Sequence, residues 1–68
     1  MNKDQLAGKW QQLRGEVQRQ WGLLSDDQLD RINGDRRKLL GALQETYGYE
    51  KEKAEDELKA WEKQSRAA

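Results

Sequence analysis

The chain has no cysteine, no histidine, no proline and no phenylalanine. Without cysteine there is no disulfide framework and no thiolate to act as nucleophile or ligand. Without histidine it lacks the commonest metal ligand and the side chain that exchanges protons near neutral pH. With no proline, and with glycine, serine and asparagine scattered, no stretch has linker composition and no internal domain boundary is marked. Long apolar runs are missing too, since no run exceeds two residues. A membrane span needs about twenty such residues and a signal-peptide core about 7–15, so no membrane partner is expected. Leu, Ile and Val number only 11 of 68, a composition that borders on disorder. Disorder usually also needs net charge, and 13 basic against 13 acidic residues leave none. Three tryptophans and two tyrosines point instead to a small packed core.

What is present reads as helix. The β-branched residues are only Val17, Ile32 and Thr46, and no stretch alternates apolar with polar. Leu6, Trp10, Leu13, Val17, Trp21 and Leu24 recur every three or four residues, which at about 100° per residue puts them on one stripe. The spacing predicts a first helix over 3–21, ended by Gly22 in the left-handed conformation glycine tolerates. Ser25, with Gln28 three positions on, has the form of a capping box, and Asp26 and Asp27 suit the positive end of a helix dipole. A short helix over 26–33 would bury Leu29 and Ile32 and stop at Asn33–Gly34. A third, 35–47, carries Leu39, Leu40, Leu43 and Tyr47 inward and ends at Gly48. A fourth, about 51–65, turns Ala54, Leu58 and Trp61 inward. Its other faces offer Lys51–Glu55, Lys53–Glu57, Glu55–Lys59 and Glu62–Arg66 pairs.

The pattern also repeats. Gly8 and Gly34, Gly15 and Gly41, and Gly22 and Gly48 are each 26 residues apart. The same offset relates Leu6 to Ile32, Leu13 to Leu39, Val17 to Leu43, Trp21 to Tyr47, and Ile32 to Leu58. The expectation is a single all-α domain over 1–68: a small four-helix bundle of two pseudo-repeated helical hairpins, about 3–33 and 34–65. Neither repeat can bury its apolar face alone, so the two must pack together.

Residues that could carry chemistry are few. Asp26, Asp27 and Asp30 lack the spacing, glycine and closing glutamate of a calcium loop, and capping accounts for them. Ser25, Thr46 and Ser65 are the hydroxyl nucleophile candidates, with no histidine to activate any of them. Catalysis is therefore not expected, nor is a cofactor. Trp10, Trp21 and Trp61 could stack on bases, but at helical spacing among leucines they read as core.

Charge is segregated. Segments 1–22 and 36–49 are each net basic, while 23–35 and 50–68 are net acidic. The candidate anion-binding surface is Lys9, Arg14 and Arg19 with Arg36, Arg37 and Lys38, from the two repeat-equivalent helices. Nucleic acid is its alternative partner, although the acidic hairpin Ser25–Asp26–Asp27 would repel phosphate. The bland reading has Arg19 compensating a helix dipole and basic helices packing on acidic ones.

Gly8, Gly15 and Gly41 fall inside helices, each costing about 1 kcal/mol against alanine. Gly8 and Gly15 lie opposite the apolar stripe. Either another helix approaches them closely, or the helices are soft; their polar flanks favour softness. A monomer or a weakly self-associating chain is expected.

The string Met1-Asn2-Lys3-Asp4-Gln5, then Gly8-Lys9-Trp10-x-Gln12-Leu13-x-Gly15, then Trp21-Gly22-x-Leu24-Ser25-Asp26-Asp27 resembles the CsbD-like family of small bacterial stress-response proteins. Gly34, Leu39-x-Gly41, Gln44-Glu45-x-Tyr47-Gly48-Tyr49 and Ala54-Glu55 continue the likeness through residue 62. The resemblance implies a soluble cytoplasmic protein raised in general stress. It also implies a compact four-helix domain similar in class to SAM-like and helix-hairpin-helix folds, with no catalytic or ligand residues to carry over. Glu16, Gln18 and Leu23 stand where the family often has basic residues.

Overall fold

The computed structural model describes residues 3–67, and the side chains of residues 6–64. Five helices follow in order: α1 Lys3–Gly8, α2 Trp10–Gln20, α3 Asp26–Ile32, α4 Arg36–Tyr47 and α5 Lys51–Ala67. The protein is all-α, as expected, with no strand among the described residues.

The expected first helix is two helices. Lys9 leaves helical geometry at φ −115°, ψ 17°, and its carbonyl starts a new ladder by accepting from the Gln12 and Leu13 N–H groups. The break is legible in the packing rather than in the local pattern. Gly34 presses into the elbow so closely that a Cβ there would lie 2.9 Å from the Ala7 Cα and 3.2 Å from the Trp10 Cβ. The α2 end also differs from expectation. Gly22 does not take up a left-handed conformation, and Trp21 is the C-cap at φ −124°, ψ 79°. Trp21 is drawn into the core onto Trp61, ring centroids 5.7 Å apart, and the chain turns there through a Leu24 N–H to Trp21 C=O bond.

The other termini follow their sequence signals. Ser25 Oγ accepts from the Gln28 N–H at 3.2 Å and Gln28 Oε1 accepts from the Ser25 N–H at 2.9 Å, a complete capping box. Asp35 caps α4 through the Arg37 and Lys38 N–H groups, so α4 begins at Arg36. Gly48 closes α4 at φ +71°.

One cluster forms the core: the stripe residues of α1 and α2 meet Leu24, Leu29, Ile32, Leu39, Leu43, Ala54, Leu58 and Trp61. All three tryptophans are in it. Leu40 and Tyr47 are packed against its rim rather than within it. Ala42 and the carboxylate residue Glu62 are buried without having been expected there.

Gly15 and Gly41, inside α2 and α4, face open space, and so does Gly8, which ends α1 instead of lying inside a helix as expected. A Cβ on Gly8, Gly15 or Gly41 would meet nothing within 4 Å, so no other helix approaches them closely among the described residues. Gly15→Ala and Gly41→Ala should each stabilise the fold by about 1 kcal/mol, raising the melting temperature by roughly 4–8 °C in a domain of this size. Thermal denaturation followed by circular dichroism checks this, and a fall in either variant would reveal an interface on the glycine face.

Candidate functional site

The six candidate cations do not form one surface. Arg14 projects from α2 onto α3, where it pairs with Asp30 and lies 3.9 Å from the Asp26 carboxylate. It also donates to the Asp26 backbone carbonyl at 3.3 Å, and Gln18 donates to the Asp26 carboxylate beside it. Asp26 and Asp30 therefore tie α3 to α2. Among the described residues no three acidic side chains gather into a metal-binding group.

Arg36 is held more tightly. Its Nε donates to Glu62 Oε2 at 3.1 Å and its Nη2 to Glu62 Oε1 at 3.2 Å, a two-point clamp from the first turn of α4 to the second half of α5. Glu55 adds a second carboxylate at 3.8 Å. Donating to the Glu62 carboxylate raises the Arg36 pKa above its ordinary value; partial burial opposes this, and the charges of Glu62 and Glu55 reinforce it. Glu62 is 6% exposed, and Arg36 is the cation that offsets the burial of its carboxylate.

Lys9, Arg19, Arg37 and Lys38 are exposed and make no ion pair among the described residues. Arg19 lies in the last turn of α2, where a cation suits the helix dipole. Arg37 and Lys38 lie in the first turn of α4, where the dipole opposes them and the Asp35 cap offsets it.

On α5 the Lys53–Glu57 and Glu55–Lys59 pairs form at 3.6 and 3.9 Å. Lys51 and Glu55 do not pair, because the Glu55 carboxylate lies between Arg36 and Lys59. The Arg66 and Ser65 side chains lie outside the described residues. Of the other hydroxyls, Ser25 is engaged in its cap and Thr46 accepts from Gln28 Nε2 at 2.8 Å.

Two open grooves flank α4. One, of about 740 Å³, runs between α3 and α4 past Arg31, Ile32, Lys38 and Glu45. The other, of about 990 Å³, runs past Ala7, Arg37, Leu40, Lys51 and Glu55. Both mix cations with carboxylates, which favours neither an anion nor a cation.

Sequence reasoning missed Glu62 as Arg36's partner, although a signal was there. The 26-residue spacing that relates Leu6, Ile32 and Leu58 also relates Trp10, Arg36 and Glu62. Position 62 thus shares its register with a buried tryptophan and is not one more surface glutamate.

The sequence pattern of the CsbD-like family matches residues 4–56. The chain belongs to the CsbD-like family. Among curated relatives of this CsbD-like chain is the UPF0337 protein ECA0631 of Pectobacterium atrosepticum, 56% identical over 62 residues, covering 91% of this chain and 90% of that protein. The UPF0337 protein YjbJ of Escherichia coli K12 is 50% identical over 62 residues, with the same coverage. The UPF0337 protein pc0632 of Protochlamydia amoebophila is 48% identical over 66 residues, covering 97% of this chain and all of that protein. No solved structure matches. No helix among the described residues is long and apolar enough to cross a membrane.

Proposed function

We propose that this CsbD-like protein is a non-catalytic, stress-induced cytoplasmic protein that protects or engages other macromolecules through its surface rather than through a pocket. The observation that carries this reading is the character of that surface. Charges of both signs alternate over it, many neutralised within the fold, and Leu23, 66% exposed, is the large apolar side chain presented to solvent among the described residues. Such a surface stays soluble at high concentration and makes many weak contacts. Of the six candidate cations, Lys9, Arg19, Arg37 and Lys38 make no ion pair among the described residues and are the contacts open to an acidic partner.

The same reading takes the chain as one domain of two pseudo-repeats, 3–33 and 34–65. In support, α2 and α4 begin at Trp10 and Arg36, 26 residues apart, and the repeat-related Leu6, Ile32 and Leu58 are all fully buried.

A protection assay tests the proposal. A labile enzyme dried or heated with this protein should retain more activity than with an equal mass of albumin; equal retention would sink the reading. A parallel titration with duplex and single-stranded DNA at low salt should show no binding, because Arg14 and Arg36 are already taken by carboxylates. Binding that weakens steeply with added salt would replace this reading with a nucleic-acid one.

A further inference from the structure

We propose that the elbow at Lys9 is a hinge through which α1 is exchanged between two copies of this chain. The exchange goes beyond the protective reading and does not depend on it. Nothing in the local sequence asks for the bend. Leu6, Trp10 and Leu13 keep the helical step across it, and lysine is a good helix former. Gly8 has no positive φ, so it does not turn the chain as Gly34 and Gly48 do. The bend also leaves α2 poorly started. Its N-cap, Lys9, makes no side-chain cap hydrogen bond. Two bonds that a continuous helix would place here, Trp10 N–H to Leu6 O and Gln11 N–H to Ala7 O, are not formed. What holds the bend is tertiary: the packing of α1 on α4, and of Gly34 in the elbow.

The chain itself carries the straight alternative. Lys9, Asp35 and Trp61 are related by the 26-residue repeat. At Asp35 the chain turns and starts α4, at Lys9 it bends, and at Trp61 α5 runs on unbroken to Ala67. One register thus accommodates both a break and a continuous helix.

With Lys9 helical, residues 3–20 form one helix and Trp10 and Gln11 gain their missing bonds. Lys9 makes no ion pair among the described residues, so straightening breaks none there. The six residues of α1 then extend about 9 Å beyond the elbow, at about 1.5 Å per residue. Leu6, fully buried in the bent chain, is carried out of its own core and needs a new apolar seat. The fitting seat is the one that a second straightened copy has vacated beside its own Gly34, because it was shaped by the same side chain. Reciprocal exchange closes a two-fold dimer, and a one-residue hinge is the short connection that invites it.

The test uses the full chain, unfolded by heat and cooled at about 1 mM, the effective concentration a short linker supplies. Analytical ultracentrifugation should find monomer and dimer, with the dimer share growing with concentration. Gly8→Ala, whose Cβ meets nothing within 4 Å, should raise that share several-fold by favouring helix across the hinge. Gln11→Pro should abolish the dimer. Proline is tolerated in the first turn of α2, but inside a continuous helix its ring meets the Ala7 carbonyl. Amide hydrogen exchange at Trp10 and Gln11 should be slower in the isolated dimer than in the monomer, a readout that needs no variant. The proposal is overturned if the parent and Gly8→Ala both stay monomeric, or if folded Gln11→Pro dimerises as readily as the parent. It is equally overturned if the Trp10 and Gln11 amides exchange as fast in the dimer as in the monomer, which would mean intact copies meeting surface to surface.

Discussion

Gly34→Ala is expected to unfold most of the protein at room temperature. A left-handed alanine costs about 1–2 kcal/mol, and forcing a methyl group into a packed contact adds about 1–3 kcal/mol. The clash would be at 2.9 Å with the Ala7 Cα and 3.3 Å with the Leu6 carbonyl oxygen, main-chain atoms that cannot rotate away. A small single core rarely holds more than about 3–5 kcal/mol in all, so a combined loss of about 2–5 kcal/mol exhausts it. Gly48→Ala is the internal comparison. It too has positive φ, +71°, but its Cβ would meet nothing within 4 Å. It should lose only the conformational part, about 1–2 kcal/mol. Urea denaturation of the two variants separates the turn from the contact: equal losses would mean that the elbow yields without penalty.

Arg36→Ala should cost about 2–3 kcal/mol. Removing one partner of a fully buried ion pair costs about 3–5 kcal/mol, and the Arg36 end of this pair is partly solvated, so the loss is smaller. What remains is Glu62, its carboxylate enclosed between α4 and α5 with no cation against it. Arg36→Lys should recover only part of the loss, because an ammonium cannot satisfy both carboxylate oxygens in the plane of the guanidinium. The double change Arg36→Met with Glu62→Leu should fall much closer to the parent than either single truncation. A cycle of urea denaturations measures the coupling, and additive single losses would show that the clamp contributes nothing. On the arginine side the clamp is insensitive to pH. The folded-state pKa is raised, so the stabilisation is full below the ordinary guanidinium value and is lost only as pH climbs through the raised one, above any neutral range.

Much of the fold was legible because its signals are local. The apolar stripe, the Ser25–Gln28 box and the Asn33 and Gly48 stops each act within a turn of chain, and each is where the spacing places it. The break at Lys9 was not legible, because Leu6 and Trp10 keep the helical step across it. Its cause is Gly34, a residue distant in sequence that seats in the elbow. The left-handed end expected at Gly22 failed for a similar reason, since the Trp21 ring is held by Trp61 from the other half of the chain. The candidate cationic surface was half legible. Charge counts locate Arg14 and Arg36 on the right helices, but only the packing of α3 and α5 against them supplies the carboxylates that take them up.

The Trp21–Trp61 pair gives the molecule an optical signature of its own assembly. Two indoles 5.7 Å apart and inclined at 57° have strongly coupled transition dipoles, so they absorb circularly polarised light as a pair and not as two chromophores. One ring ends α2 and the other rides on α5, so the signal exists only while those segments are together. Leu6 and Trp10, at the opposite end of the same stripe, could loosen without dimming it. Light absorption thus distinguishes departure of the last helix from fraying of the first, in the unmodified chain and without any added probe.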